Sequence, residues 1–202
     1  MLTVIRLAVT DKMRIISGEY RGRILKNPSG QKTRPTSDRL RETLFNILNP
    51  LISTETRFLD LCAGTGAVGI EAVSRGCEFS TFIDKSRRSC VLIEENLDLL
   101  RIPEKQAEII CLEAEKFVSR QNLEAWDLVF FDPPYKIDYS KILSEIAANA
   151  GKLLRDEGKL IVEHHFKKIL PEKIGSLRRG RIIRQGETQL SFYEKEELPE
   201  NL

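Results

Sequence analysis

Arg57-Phe-Leu-Asp60-Leu61-Cys-Ala-Gly64-Thr65-Gly66-Ala-Val-Gly69 decides the fold of this 202-residue chain. A short apolar run carrying one acid reads as a buried strand. The glycines after it read as a tight loop, and an apolar helical pattern starts inside them. Strand, glycine loop and helix in that order open a βαβ unit. Outward from here the alternation continues, with strand patterns at 57–61, 79–84, 107–111, 127–131 and 158–163. Helical patterns fill the intervals at 66–75, 86–100, 113–121 and 139–154. That rhythm predicts an α/β fold, a doubly wound, mostly parallel sheet with right-handed crossovers. The chain closes differently. Residues 181–184 and 188–193, joined by Gln185-Gly186-Glu187, read as an antiparallel hairpin that completes a seven-stranded sheet.

Upstream, Arg14 to Leu25 reads as a small hairpin turning between Gly18 and Gly22. A loop follows, and then a helix capped by Thr36 or Ser37 that runs to Leu48, with Leu40, Leu44, Phe45 and Leu48 on one face. The reading therefore divides the chain into a flexible extension or misassigned start (1–12), a hairpin-and-helix segment (13–50), a main domain (51–195) and an acidic tail (196–202).

Hydrophobic residues make up 41% of the chain and charged residues 31%, a balance that suits a globular protein. Apolar stretches are strand-length and Met1 to Lys12 lack the pattern of a signal peptide, so a cytoplasmic location is expected, with no membrane role. Cys62, Cys77, Cys90 and Cys111 are scattered without metal-ligand spacing, and buried reduced thiols are expected. No metal site follows from the sequence, so chelators are expected to leave any activity intact.

The net charge of +2 is unevenly spread. Eight Lys and Arg face three Asp and Glu between Met13 and Asn49, and seven face one between Lys167 and Arg184. Two basic segments flanking an acidic centre suggest a polyanion footprint, although each also suits a solvated face. Arg21, Arg23, Lys32 and Arg34 on one side and Arg178, Arg179 and Arg181 on the other are the candidate phosphate contacts.

Gly64, Gly66 and Gly69 satisfy G-x-G-x-x-G, and Asp84 ends the next strand where a ribose-binding acid belongs. The match alone fits a dinucleotide or S-adenosylmethionine (SAM). Asp60 favours SAM, because an acid suits a cationic amino-acid group and would repel a pyrophosphate. The chain also lacks the second mononucleotide half of a dehydrogenase. Thr65 lies between the two glycines of the loop, and Glu113 with the neighbouring Ala114 backbone is the candidate adenine contact. Asp84 as a simple helix cap and Glu113 as an exposed first-turn residue are the bland alternatives.

After the strand pattern 127–131 comes Asp132-Pro133-Pro134-Tyr135. In an open α/β sheet, ligands sit at the carboxyl ends of the strands, so this motif and the glycine loop face one crevice. Asp132 and the Pro133 carbonyl can accept hydrogen bonds from an exocyclic NH₂ whose lone pair is delocalised into a ring. The two prolines fix the backbone without offering a competing N–H, and Tyr135 offers a stacking face. Methylation of a base amine is the chemistry that fits. The base must be unpaired or flipped out, which single-stranded RNA loops provide.

With these motifs stand Arg14-Ile-Ile-Ser-Gly-Glu-Tyr-Arg-Gly-Arg23, Thr33-Arg34-Pro-Thr36-Ser-Asp-Arg39-Leu-Arg-Glu42 and Thr188-Gln-Leu-Ser-Phe-Tyr193. Together they resemble the RsmD-type 16S ribosomal RNA (guanine-N2)-methyltransferases, from about Met13 to Tyr193. The resemblance implies a class I methyltransferase fold and a bacterial enzyme of ribosome maturation. Such an enzyme uses SAM to methylate N2 of one guanine in 16S rRNA, within an assembled or partly assembled small ribosomal subunit. It implies that Arg34, Thr36, Arg39 and Glu42 border the SAM and RNA site, and a monomer is expected. Glu113 stands where relatives often carry Asn or Asp. His164-His165 reads as a noncatalytic strand end. Three other readings remain: a DNA adenine-N6 methyltransferase, an RNA-binding assembly factor without catalysis, and a nicotinamide oxidoreductase.

Overall fold

The structure, a computed structural model, describes residues 13–28, 35–120, 125–134 and 140–196, with only the backbone described for residues 35–37. Lys32, Arg34, Tyr135, the Thr36 side chain, residues 1–12 and the end of the acidic tail lie outside the described residues. The helices are α1 (Pro35–Leu48), α2 (Ala67–Ser74), α3 (Arg87–Leu100), α4 (Ala114–Val118), α5 (Ser140–Ala148) and α6 (Ala150–Leu153). The strands are β1 (Arg57–Leu61), β2 (Phe79–Asp84), β3 (Ala107–Cys111), β4 (Trp126–Phe131), β5 (Leu154–His165), β6 (Lys173–Ile174), β7 (Leu177–Gln185) and β8 (Thr188–Lys195). They form one sheet in the order β3-β2-β1-β4-β5-β8-β7-β6.

The first five strands in that order are parallel; β8, β7 and β6 add antiparallel. The chain winds outward from β1 in both directions, so the strand order reverses between β1 and β4. That is the switch point where such sheets open a crevice. The sheet carries eight strands where the sequence pattern predicts seven, because the two-residue β6 adds an edge too short to leave a periodic signal.

Alternation along the strands feeds two cores. Phe58, Phe82, Phe130 and Ile161 pack with α1, α2, α3 and the N-terminal segment. Leu59, Leu61, Val129, Phe131, Leu160 and Val162 pack with α4, α5 and α6. Burial on both faces explains why these strands read as near-continuous apolar runs. Among the described residues, no helix is long and apolar enough to cross a membrane.

Residues 13–25 make a hairpin with a single bridge, Arg14 to Ile24, supported by Ile15 N–H to Arg23 O (2.9 Å) and Leu25 N–H to Met13 O (2.9 Å). Gly18 has φ +85°, and a Cβ there would lie 1.7 Å from the Ser74 carbonyl oxygen, so only glycine permits this approach to α2. A buried carboxylate ties the segment down. Glu71 on α2 accepts from Ile16 N–H (2.8 Å) and Ser17 N–H (2.9 Å) and pairs with Arg75 (2.9 Å). Arg41 of α1, itself buried, approaches it at 3.8 Å and donates to the Arg14 carbonyl (2.6 Å).

Several boundaries differ from the sequence reading. Strand β5 starts at Leu154, not 158. Its register against β4 shifts between Trp126 and Leu128, so the polar Arg155-Asp156-Glu157 run bulges outward and reads as a turn. The helical pattern 139–154 breaks into α5 and α6, and 113–121 shortens to α4. Two cysteines depart from the buried expectation: Cys77 and Cys90 are buried, but Cys62 is half-buried and Cys111 exposed.

Candidate active site

Strand β1 ends in a loop whose geometry demands glycine. Gly64 and Gly66 have φ of +58° and +78°, and Gly66 is the residue at which α2 begins. Gly69 serves packing. A Cβ there would sit 2.3 Å from the Phe82 ring, so α2 lies against β2 only because the side chain is absent. Cys62 also adopts positive φ, 71°, a strained conformation for a residue with a Cβ. Its N–H and that of Ala63 both donate to the Ile83 carbonyl (2.9 Å each), which locks the turn onto β2.

Asp84 at the end of β2 organises the loop from the other side. Its Oδ2 accepts from Gly64 N–H (2.9 Å) and its Oδ1 from Ser86 N–H (2.8 Å). Ser86, not Asp84, caps α3, its hydroxyl accepting from Ser89 N–H. Asp60, fully within the sheet, accepts from Gly69 N–H through Oδ2 (3.1 Å). Past β4, the Asp132 N–H points to the Leu61 carbonyl (3.4 Å), which seats the second motif beside the first.

A cavity of about 480 Å³ opens over this end of the sheet. That volume lies in the ordinary range for a small-molecule site. Six of the residues expected at the site line it: Gly64, Asp84, Glu113, Ala114, Asp132 and Pro134. Cys62, Lys85 and Lys141, which the sequence reading did not place at the site, line it too. Asp60, Thr65, Gly66 and Pro133 do not form its wall. Thr65 instead turns outward, its hydroxyl on Met13 Sδ (3.3 Å) and its carbonyl on the buried Asn96 amide (3.0 Å). Glu113 is exposed at the rim, paired with Lys116 at 2.8 Å, and that hydrogen bond holds its carboxyl below the usual range.

The electrostatics centre on strand-end acids. Burial pushes Asp132 up to about 7. Burial also raises Asp60 to about 7, with the Gly69 hydrogen bond opposing and the charges of Asp132 and Asp84 adding. Glu163, near the end of β5, is raised well above its ordinary value by burial and then by Asp132 and Asp60. Phe131 pairs with Val162, so Asp132 and Glu163 follow on adjacent parallel strands. Sequence reasoning passes over Glu163, because the two histidines after it are the more conspicuous residues. Its signal is present all the same, since an acid ending the apolar run Leu160-Ile-Val162 repeats the placement of Asp60, Asp84 and Asp132. His164 points into the sheet, its Nε2 on the Ser191 hydroxyl (2.9 Å), and burial lowers its pKa.

The expected phosphate contacts scatter. Arg21 and Arg23 are exposed on the hairpin by the C-terminal ends of α2 and α3, with Arg23 donating to the Leu99 carbonyl (3.2 Å). Arg178 pairs with Glu172 (3.6 Å), and Arg179 donates to the Leu170 carbonyl (2.7 Å). Through β8, Arg178 and Arg181 align with Lys159 and Ile161, in the part of β5 that precedes the cavity end. Arg39 is exposed on α1, and Glu42 follows one turn later. Among the described residues, no cluster of His, Cys, Asp or Glu is disposed to hold a metal ion.

Known proteins share this arrangement. The chain matches the family described as Conserved hypothetical protein 95 over residues 13–194. It is 35% identical over 185 residues to the Bacillus subtilis (strain 168) protein YlbH, covering 91% of this chain and 99% of that one. It is 33% identical over 189 residues to Ribosomal RNA small subunit methyltransferase D of Escherichia coli (strain K12), covering 93% and 92%. Among solved structures, Escherichia coli yhhF superposes with a TM-score of 0.80 at 33% identity, covering 92% of this chain and 98% of that one. A SAM-dependent methyltransferase from Agrobacterium tumefaciens shares the fold at a TM-score of 0.59 and 17% identity, over 81% of this chain and 63% of that one. By a family match over most of its length, and by a sheet wound as in SAM-dependent methyltransferases, the chain belongs to the Conserved hypothetical protein 95 family, that of the RsmD-type methyltransferases.

Proposed function

We propose that the protein is a cytoplasmic, SAM-dependent methyltransferase of small-subunit ribosomal RNA whose acceptor is the exocyclic N2 amine of a guanine. One observation carries the reading: Gly64 and Asp84 from the first motif and Asp132 and Pro134 from the second line the same cavity. The relative in Escherichia coli named for small-subunit rRNA methylation supports the substrate class.

The residues fit SAM. Each Asp84 oxygen accepts one backbone N–H, which holds the carboxylate in place while leaving acceptor capacity for the two ribose hydroxyls. Ala114 and the exposed Glu113 rim the adenine end. Gly64 in the cavity wall provides the close backbone approach, and in this reading Thr65, Gly66 and Asp60, set behind that wall, shape the loop that receives the amino-acid end of SAM. Arg34 and Thr36 border the same site in this reading. When bound, SAM supplies a methyl group on a sulfonium, an electrophile with its leaving group built in.

The protein's part is to present the amine. Asp132 and the Pro133 carbonyl accept the two N–H bonds of the NH₂, which turns the nitrogen lone pair out of the ring plane and toward the methyl. Pro134 keeps that backbone rigid, and Tyr135 stacks on the base. Transfer would exchange the sulfonium's methyl carbon–sulfur bond for a carbon–nitrogen bond, with a neutral thioether as leaving group, and the protein's part is to offer an acceptor for the one proton that the amine must then lose. A carboxylate raised to about 7, such as Asp132, is matched to take a proton near neutral pH. Positioning and electrostatics supply the rate. The substrate in this reading is 16S rRNA within an assembled or partly assembled subunit, met by a monomer.

The test is methyl transfer from radiolabelled SAM to small ribosomal subunits lacking the modification, with naked rRNA and duplex DNA alongside. Label on one guanine N2 of the subunit RNA is expected. Asp132→Ala is expected to lower the rate by about 10²–10³-fold while SAM still binds. Label on DNA alone would overturn the substrate.

A further inference from the structure

The C-terminal cations that stand out in sequence lie toward the far end of the sheet, while a different basic group lies toward the end of the sheet where the cavity opens. We propose that Phe166, Lys167 and Arg184, with Ile169 at the loop tip, form the surface that grips the rRNA strand flanking the target nucleotide. The inference rests on the reading of the protein as an rRNA methyltransferase.

Place comes from the register. Beyond the Phe131–Val162 pair stand Asp132 and Glu163; Glu163 pairs with Leu190, Leu190 with Ile183, and Arg184 is the next residue. Three strand spacings separate Arg184 from Asp132 laterally, roughly 14 Å, and one residue, about 3.3 Å, separates them along the strands. Phe166 N–H donates to the Glu187 carbonyl (2.9 Å), fastening the loop after β5 to the β7–β8 turn. Ile169 and Pro171 of that loop share a crevice with Ser140, the first residue of α5.

The surface is built rather than merely charged. The Arg184 guanidinium carbon lies 3.8 Å from the Phe166 ring centroid, and Arg184 Nε donates to the Gly186 carbonyl (3.1 Å). The His165 ring stands 4.8 Å from that of Phe166, and Lys167 N–H donates to His165 Nδ1 (3.1 Å). Arg184 is thus held in place by the ring and the turn while remaining exposed. Among the described residues, no carboxylate pairs with Lys167 or Arg184, in contrast to Arg178 at the other end. Ile169 is 90% exposed, the most exposed large apolar side chain among the described residues. Uncompensated cations, a guanidinium plane and a bare apolar tip match a polyanion with unstacked bases. Phosphates take the N–H donors, and base faces take the guanidinium and Ile169.

The test is the double variant Lys167→Ala/Arg184→Ala, titrated at several salt concentrations against small ribosomal subunits and against naked 16S rRNA. Affinity for both is expected to fall about tenfold, and the slope of log K against log salt to drop by about 0.7 for each phosphate no longer neutralised. SAM affinity and the rate at saturating subunits should stay at wild-type values. The control Lys105→Ala/Lys152→Ala removes equal charge at the opposite end of the sheet and should change neither. Wild-type affinity and slope in the double variant, with wild-type protein active, would overturn this surface alone. Loss of subunit binding with intact naked-rRNA binding would assign the surface to a ribosomal protein, also overturning it. Wild-type protein that binds SAM but labels no small-subunit RNA would overturn the functional reading, and this inference with it.

Discussion

Asp60, Asp132 and Glu163 crowd three carboxyl groups at the ends of β1, β4 and β5, and their behaviour is a matter of single residues. Burial pushes Asp132 up to about 7, so its acceptor form is expected to be lost as pH falls below that value. Methyl transfer is therefore expected to rise between about pH 6 and 8. Burial and the charges of Asp132 and Asp60 hold Glu163 well above its ordinary value, so it keeps its proton over this range and Glu163→Gln should leave the rising limb in place. A limb displaced to lower pH in the pH–rate profile would show instead that Glu163 carries charge beside Asp132. Asp60 gives a stability prediction. Its folded value of about 7 exceeds the ordinary 3.8, so the native state holds the proton more tightly than the unfolded chain. Stability then falls as pH rises from about 4 to 7 and levels off above, a loss of up to roughly 4 kcal/mol. Asp60→Asn keeps an acceptor for Gly69 N–H and should raise the melting temperature at about pH 8 while leaving it unchanged at about pH 4. These roles were only partly legible beforehand. Asp132 announced itself through the prolines after it, whereas Glu163 had no motif and gained meaning from the strand beside it.

Elements meet at Glu71. It lies on a helix whose residues are almost all buried, and it binds two backbone N–H groups of the hairpin while facing Arg75 and Arg41. Breaking such a buried pair from one side leaves charge without compensation. Glu71→Ala is expected to cost about 3–5 kcal/mol, read as a shift in the urea midpoint. Loss of the hairpin's N–H protection in hydrogen exchange should accompany it. Sequence periodicity found α1 and the hairpin but not this junction, because one acid inside an apolar helix carries no period. The same reason hid the start of β5: its bulged polar residues mimic a turn, and only the shifted pairing with β4 shows them to be strand.

For the whole molecule, the sheet's switch point gathers the cavity, so a ligand there stabilises the entire fold. Saturating SAM, at about a hundred times its dissociation constant, should add about 2.7 kcal/mol. For a chain of this size that corresponds to a rise in melting temperature of about 5–10 °C. Asp84→Ala should abolish the rise, and NADH should produce none in the wild-type protein. A shift with NADH and none with SAM would reverse the cofactor assignment.

What the amino-acid order by itself determined is the winding of the sheet and the two motifs. Both are local: alternation of apolar runs sets the crossovers, and glycine or proline at fixed offsets sets the loops. The placement of charge was decided only by tertiary structure. Arg178 and Arg184 belong to one strand and one basic run, yet one lies toward the far end of the sheet and the other close to the cavity end. Composition assigns charge to a segment, but an antiparallel strand reverses direction, and register alone says which of its ends faces the substrate.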